Sequence, residues 1–314
     1  MLNLLLAGSI TFTDRELKEI ENFGYNITAI QREDNLEIQN IETYDVVVCN
    51  WLFAHYDIQK FQRIKAIQLL SAGFDRLPMD YVKEHNIQVR NAKGIYSIPI
   101  AEFTVMTILD AYKYSDYFYN NQKLCIWNKN RNLDELSDKT VCICGTGSVG
   151  TEVAKKLSVF VERVIGIDLH PREKPYFTNI VGLDKMHDIL AQSDIVVLTL
   201  PLTKETYHMF DHELFDGMRE DSILVNVARG ALIEENALKQ ALDTGKFRAV
   251  ILDVFEKEPL NENFWGWKAE RVRIIPHNTF ESKKNKERLK KQILDNLRDW
   301  ADKIPIEHGK KYDL

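Results

Sequence analysis

Two successive α/β domains, Rossmann-like and flavodoxin-like doubly wound parallel sheets with an interdomain cleft, are the fold this sequence predicts. Three observations predict it. Short β-rich runs alternate with helical spacing twice along the chain, the mark of right-handed βαβ units and parallel sheets. A glycine-rich turn, Gly145-Thr-Gly-Ser-Val-Gly150, stands between a strand and a helix, where a dinucleotide phosphate loop belongs. At 314 residues the chain is also about twice the length of an ordinary domain.

The first series places strands at Asn3–Ala7, Asn26–Ile30, Asp45–Cys49, Ala66–Leu70 and Gln88–Arg90. Thr13 followed by Glu16 is a capping-box pattern and opens a helix between the first two. Five strands suit a flavodoxin-like arrangement, although their order is not readable from the sequence. From Ser97 to Gln122 the spacing is helical, with Pro99 in the first turn and Ile100, Phe103, Thr104, Thr107, Ile108 and Ala111 on one buried face. The second series has strands at Thr140–Cys144, Val164–Ile167, Ile195–Leu200, Ile223–Val227, Val250–Asp253 and Arg273–Ile275. Six strands with intervening helices make a complete dinucleotide fold. An amphipathic helix near Ser282–Lys303 follows.

Composition excludes several classes. A hydrophobic fraction of 45%, a charged fraction of 28% and a net charge of −6 describe a globular protein with no basic footprint for nucleic acid. The run Lys283-Lys284-Asn285-Lys286 is broken by Glu287 and reads as a solvated helix face. No apolar stretch reaches the roughly 18 residues that span a membrane, and Leu2–Gly8 is too short for a secretory signal and reads as a first buried strand. Cys49, Cys125, Cys142 and Cys144 lack the spacing of a metal site or a disulfide scaffold. The expected compartment is the reducing cytoplasm, and no metal site is expected.

The residues with chemistry to offer sit where strands run out. Arg229 follows Ser222–Ala228, Glu258 follows Ala249–Phe255, His277 follows Val272–Pro276, and the glycine loop follows Thr140–Cys144. Ligands of open parallel sheets bind outside the carboxyl ends of the strands, so all four elements are expected to line one crevice. Gly145 permits the tight turn, Gly147 lets the backbone approach a pyrophosphate, and Gly150 lets helix pack on strand. The helix that follows aims its N-terminal amides at the phosphates. Asp168, at the end of the next strand, can accept hydrogen bonds from an adenosine ribose and would repel a 2′-phosphate, so NAD (NADH) is expected over NADP. His170 and Arg172 lie close by and pull the other way.

Arg229 presents a planar fork matched to a carboxylate. His277 carries an imidazole, a side chain that can give and take a proton. Glu258, in a loop before Pro259, can fix the tautomer of such an imidazole. Each has a bland alternative: a strand-end ion pair, a satisfied structural histidine, a solvated loop acid. Their company at one sheet edge beside a dinucleotide loop favours chemistry, and the set suits hydride transfer to a 2-oxo acid.

Five segments together resemble the D-isomer-specific 2-hydroxyacid dehydrogenase family: Cys144-Gly-Thr-Gly-Ser-Val-Gly150, Leu200-Pro-Leu-Thr203, Asn226-Val-Ala-Arg-Gly230, Leu252-Asp-Val-Phe-Glu-Lys-Glu-Pro-Leu260 and Pro276-His277. The resemblance runs over nearly the whole chain and reaches glyoxylate/hydroxypyruvate reductase-like and phosphoglycerate dehydrogenase-like members. It implies Arg229 as substrate anchor, His277 as acid/base and Glu258 as its partner. It further implies NAD contacts from Gly145, Gly147, Ser148, Val149, Gly150, Asp168, Pro201, Val227, Ala228 and Asp253, the last near the nicotinamide amide. Ser71-Ala72-Gly73-Phe74 resembles the family loop whose amides hold the substrate carboxylate. By the same likeness, residues 1–95 plus 283–314 form a flavodoxin-like substrate domain, residues 96–282 form the NAD-binding domain, and the helix from Ser97 helps build a homodimer.

The sequence also departs from the family pattern. Thr199 stands where many members have His, Ser71–Arg76 lacks a common Asn-Ile-Asp ending, and Asn278–Ser282 is not the usual small-residue run. The expected substrate is a small 2-oxo or 2-hydroxy acid such as glyoxylate or hydroxypyruvate. Arg76 and Lys93 leave a phosphorylated hydroxyacid as an alternative. A non-catalytic NAD(H)-sensing protein of corepressor type is the other.

Overall fold

The structure is a computed structural model that describes residues 1–34 and 38–304, so the last ten positions of the expected 283–314 segment lie outside the described residues. It divides into two compact units, one formed by Met1–Ile95 with the chain from Ser282 onward, the other by Tyr96–Glu281.

In the first unit the strands are β1 (Leu2–Ala7), β2 (Tyr25–Ile30), β3 (Val46–Cys49), β4 (Ala66–Leu69) and β5 (Gln88–Arg90). All pair in parallel, in the order β2-β1-β3-β4-β5, which is the flavodoxin-like order. Every residue of β3 and β4 is buried, because helices cover both faces of a parallel sheet. The helix Asp14–Asn22 starts with the expected capping box: Glu16 Oε2 accepts the Thr13 amide at 2.6 Å, and Thr13 Oγ1 accepts the Glu16 amide at 3.3 Å. Such a cap contributes about 1 kcal/mol. The last helix, Asn285–Lys303, buries Leu289, Ile293, Leu297 and Trp300, a stripe at helical spacing. Trp300 Nε1 donates to Gln88 Oε1 at 3.0 Å and Tyr25 Oη to Leu297 O at 2.8 Å, which joins this helix to the first unit.

The second unit contains β6 (Thr140–Cys144), β7 (Arg163–Ile167), β8 (Asn179–Val181), β9 (Ile195–Leu198), β10 (Ser222–Asn226), β11 (Phe247–Leu252) and β12 (Val272–Ile274). The order is β12-β11-β10-β9-β6-β7-β8, parallel throughout. Counted from β6, this is the 3-2-1-4-5-6 dinucleotide order with a seventh strand added beyond the sixth. The expectation of six strands is therefore corrected. The missing one, β8, is an edge strand of three residues, none of them buried, so it has no apolar run to announce it. The strand before His277 is consequently the additional seventh.

A second correction concerns the long helix. The expected Ser97–Gln122 span is two helices, Ser97–Lys113 and Ser115–Lys123, separated at Tyr114 in the left-handed region (φ 49°, ψ 46°). The first half buries one face, including Ile100, Thr104, Thr107, Ile108 and Ala111. The second half buries nothing, so no packing stripe holds it in line with the first. Cys142 and Cys144 are fully buried on one face of β6 with Sγ atoms 3.8 Å apart, as small core hydrophobes. Among the described residues no helix is long and apolar enough to cross a membrane, and no group of three or more His, Cys, Asp or Glu is placed to hold a metal ion.

Candidate active site

Because all seven strands of the second unit run parallel, their carboxyl ends share one edge, and the chain reverses winding direction between β6 and β9. The glycine loop leaves β6 at that switch, beside Thr199–Pro201 leaving β9. Gly145 has φ +99°, and a Cβ there would lie 2.7 Å from the Thr199 carbonyl. A Cβ on Gly150 would lie 2.0 Å from Gly145 O. Both glycines are thus required by the protein itself. Gly147 is different: a Cβ added there meets nothing within 4 Å. It is also the N-cap of the helix Ser148–Leu157 and has no side-chain cap, so the first amides, through Ser148 and Val149, stay available to an anion. Thr199, the residue that departs from the family pattern, reaches the carbonyls of Cys144 at 3.1 Å and Gly145 at 2.6 Å with its hydroxyl and so fastens the turn.

Asp168 stands at the end of β7 with its carboxylate turned to the glycine loop. Oδ2 accepts from the Thr146 amide at 2.8 Å and hydroxyl at 2.6 Å, and Oδ1 from the His170 amide at 3.1 Å. A carboxylate has about four acceptor sites, so one position on Oδ1 remains for a ligand hydroxyl. Burial pushes the Asp168 carboxyl up, but the Thr146 hydroxyl, the His170 and Thr146 amides and the nearby Lys174 ammonium outweigh it and hold the group below the ordinary aspartate value. Lys174 Nζ donates to Thr146 O and, at 3.1 Å, to Thr146 Oγ1. To the His170 and Arg172 named from the sequence, the structure adds Lys174 as a cation near Asp168.

The other three strand ends carry the remaining residues. After β10, Asn226 Nδ2 donates to Arg229 O at 2.9 Å and Ala228 N to Asn226 Oδ1 at 3.1 Å, which folds Val227–Arg229 into a tight loop. Arg229 Nη1 donates to Ala228 O at 2.7 Å. After β11, Glu258 Oε1 accepts the Phe255 amide at 2.9 Å, which leaves Oε2 directed at His277 Nδ1, 2.7 Å away. Both side chains are about one-third exposed, at 35% and 37%. His277 follows β12 in a left-handed conformation, φ 49°. Asp253 sustains that conformation: its carbonyl accepts the His277 amide at 2.8 Å, and Oδ1 accepts the amides of Asn278 and Thr279 at 2.8 and 3.2 Å. Its other oxygen takes the Thr279 hydroxyl. Asp253 is 1% exposed, and its carboxylate is committed mainly to the His277 turn. The imidazole meets Phe280 edge-on, with ring centroids 5.8 Å apart.

The second unit therefore assembles the glycine loop, Asp168, Pro201, Val227, Ala228, Arg229, Asp253, Glu258 and His277 along one sheet edge, with Glu258 and His277 in contact. Ser71, Ala72 and Gly73 belong to the first unit, in the loop after β4. There Ser71 Oγ donates to Gly73 O at 3.1 Å, the Ala92 amide to Ser71 O at 2.9 Å, and Asn91 Nδ2 to Ala72 O. Sequence reasoning missed Thr146 as the partner of Asp168, Lys174 and the packing role of Gly230. A Cβ on Gly230 would sit 1.9 Å from the Phe255 carbonyl carbon. Thr146 and Gly230, each inside a quoted motif, offered a signal; Lys174 did not.

Comparison with known proteins identifies the family. Residues 105–279 match the family model described as "D-isomer specific 2-hydroxyacid dehydrogenase, NAD binding domain". A D-3-phosphoglycerate dehydrogenase from Methanocaldococcus jannaschii is 34% identical over 66% of the chain, which spans only 40% of that protein's length. A glyoxylate reductase from Thermofilum pendens is 30% identical over 83% of the chain and 79% of its own. Among solved structures, a D-isomer specific 2-hydroxyacid dehydrogenase family protein from Aeromonas salmonicida subsp. salmonicida superposes with a TM-score of 0.81 at 25% identity, covering 98% of this chain and 97% of that one. With its parallel sheets, its uncapped glycine loop and its conjoined Glu258 and His277, the chain belongs to the D-isomer specific 2-hydroxyacid dehydrogenase family.

Proposed function

We propose that the chain interconverts a small 2-oxo acid and its D-2-hydroxy acid, with His277 as acid/base, Glu258 as its partner and Arg229 as the anchor of the substrate carboxylate. The observation that carries this reading is the 2.7 Å contact between His277 Nδ1 and Glu258 Oε2. With Nδ1 turned to a carboxylate, Nε2 is the atom that exchanges a proton with the substrate oxygen. The open space at Gly147 and the uncapped amides of Ser148 and Val149 fit a pyrophosphate. Asp168 suits the ribose, and Pro201, Val227 and Ala228 the rest of the coenzyme. NAD(H) bound there supplies or takes up the hydride. Nε2 protonates the carbonyl oxygen in reduction and removes the hydroxyl proton in oxidation, while Arg229 grips the carboxylate through paired N–H donors. Asp253 serves by holding the His277 turn. In the loop Ser71–Gly73 the protein's own bonds fall on the carbonyls, which suits amides that receive a carboxylate.

The deciding experiment is NADH oxidation against a panel of 2-oxo acids, phosphorylated and unphosphorylated. Turnover with a short 2-oxo acid is expected. NADH binding without turnover of any member would overturn the reading in favour of a sensor.

Coenzyme choice is expected to follow Asp168. Its carboxyl is held below the ordinary value, so it is ionised at neutral pH and opposes a 2′-phosphate. NADH should outperform NADPH by at least about tenfold in kcat/KM, and Asp168→Ser should narrow the gap. Equal use of both coenzymes by the unaltered protein would remove this role.

Association with a second copy of the chain is proposed through the helical segment after Ser97. Tyr119 on the second helix, and Leu124 and Trp127 just beyond its end, are 63%, 67% and 97% exposed, an apolar set that is costly to leave in water. Sedimentation equilibrium should report a dimer, and Trp127→Glu should shift it toward monomer. A monomer at every concentration tested would refute the pairing.

A further inference from the structure

Beside the Glu258–His277 pair lies a second histidine–carboxylate contact that the proposed chemistry does not use. His208 Nε2 is 3.0 Å from Glu256 Oε2, and the Tyr207 hydroxyl donates to Glu256 Oε1 at 3.3 Å. The two donor rings stack, with centroids 4.0 Å apart and planes 18° from parallel, so they meet the carboxylate as a matched pair. Burial and the adjacent Glu256 carboxylate push the Tyr207 phenol above its ordinary value, which keeps it a donor. His208 occupies the left-handed region at φ 51°, and its amide donates to Ala231 O at 2.8 Å. The backbone of Phe255 and Glu256 is pressed against Gly230, where a Cβ would come within 2.3 Å of Glu256 N.

Three strand-end segments are thereby layered: the one holding Tyr207 and His208, the one holding Arg229 to Ala231, and the one holding Phe255 to Glu258. Glu258 owes its orientation to this last segment, since the Phe255 amide occupies Oε1 and directs Oε2 toward His277. An exposed ion pair adds little to global stability, so a contribution to folding does not account for the arrangement. Geometry does. Acid/base catalysis depends on placement at the scale of an ångström.

We propose that Tyr207, His208 and Glu256 form a brace that positions Glu258 against His277. They are positioning residues, and the proposal rests on the reading of Glu258 and His277 as the acid/base pair. Loss of the brace lets the Phe255–Glu258 loop move away from Gly230 and lengthens the Glu258–His277 hydrogen bond. The penalty falls on proton transfer, leaving coenzyme binding untouched.

Glu256→Ala, Glu256→Gln and His208→Phe test this in the full-length protein. Glu256→Ala is expected to lower kcat by about 10- to 100-fold, with NADH Kd held and the solvent isotope effect on turnover increased. Glu256→Gln, which keeps an acceptor for the two donors, should recover most of the loss. His208→Phe keeps the ring stack without the hydrogen bond, should reproduce the defect in part, and should add nothing to Glu256→Ala. A proton NMR resonance of the His277 Nδ1–H shared with Glu258 should be present in the unaltered protein and weakened in Glu256→Ala. That signal needs no activity: its loss in a protein that turns over no 2-oxo acid would uphold the brace while the functional reading fell. Normal kcat in Glu256→Ala, additive losses in the double variant, or an unchanged resonance would each overturn the proposal.

Discussion

Replacing His277 with alanine is expected to lower turnover of a 2-oxo acid by about 10²–10⁴-fold, the usual worth of a positioned acid/base group. NADH affinity, read by fluorescence titration, should hold. The side chain is joined to Glu258 through Nδ1, and the glycine loop that suits the pyrophosphate leaves a different strand, β6, so the two functions are separable. The backbone at His277 is left-handed, φ 49°, a region that Asn and His tolerate better than other side chains. His277→Asn is therefore the cleaner partner variant: it keeps the turn and cannot relay a proton. Equal losses in both variants would assign the effect to the imidazole. Turnover that survives in both, with NADH bound, would move the acid/base role to another group.

Arg229→Lys is the second large effect. Lysine keeps the charge but loses the planar fork that matches a carboxylate with two parallel hydrogen bonds. Removing one partner of a desolvated charge pair costs roughly 2–5 kcal/mol, about 30- to 4,000-fold in affinity. The loss is expected in substrate KM and kcat/KM, with NADH binding close to normal. Arg229 also shapes its own loop, through Nη1 to Ala228 O at 2.7 Å and through its carbonyl to Asn226 at 2.9 Å. If NADH binding fell as far as substrate turnover, those loop contacts, rather than a carboxylate, would be what Arg229 serves.

Much of this protein was legible before folding was considered. Strand-ending Arg229, Glu258 and His277, the capping box at Thr13 and the three glycines of the loop after β6 are local facts. They depend on periodicity and punctuation within about ten residues, and those properties are written directly in the chain. The parallel α/β class followed for the same reason. β8 was not legible, because a three-residue edge strand with no buried position carries no periodic signal. Nor was the break at Tyr114, since the helix beyond it buries no residue whose spacing would distinguish one long helix from two.

The pairing of Glu258 with His277 was expected from the family resemblance; what only the tertiary structure decided is how that contact is made and which the other partners are. Strand order placed β12 next to β11, which brings His277 to Glu258 across 19 residues of sequence. The same step turned Asp168 to Thr146 across 22, Asp253 to Thr279 across 26 and His208 to Glu256 across 48. It also decided that the Thr199 hydroxyl fastens the glycine turn. The physical reason is common to all of them. A hydrogen bond is specified by the distance and direction between two groups, and for residues so far apart in the chain both are set by which strands become neighbours.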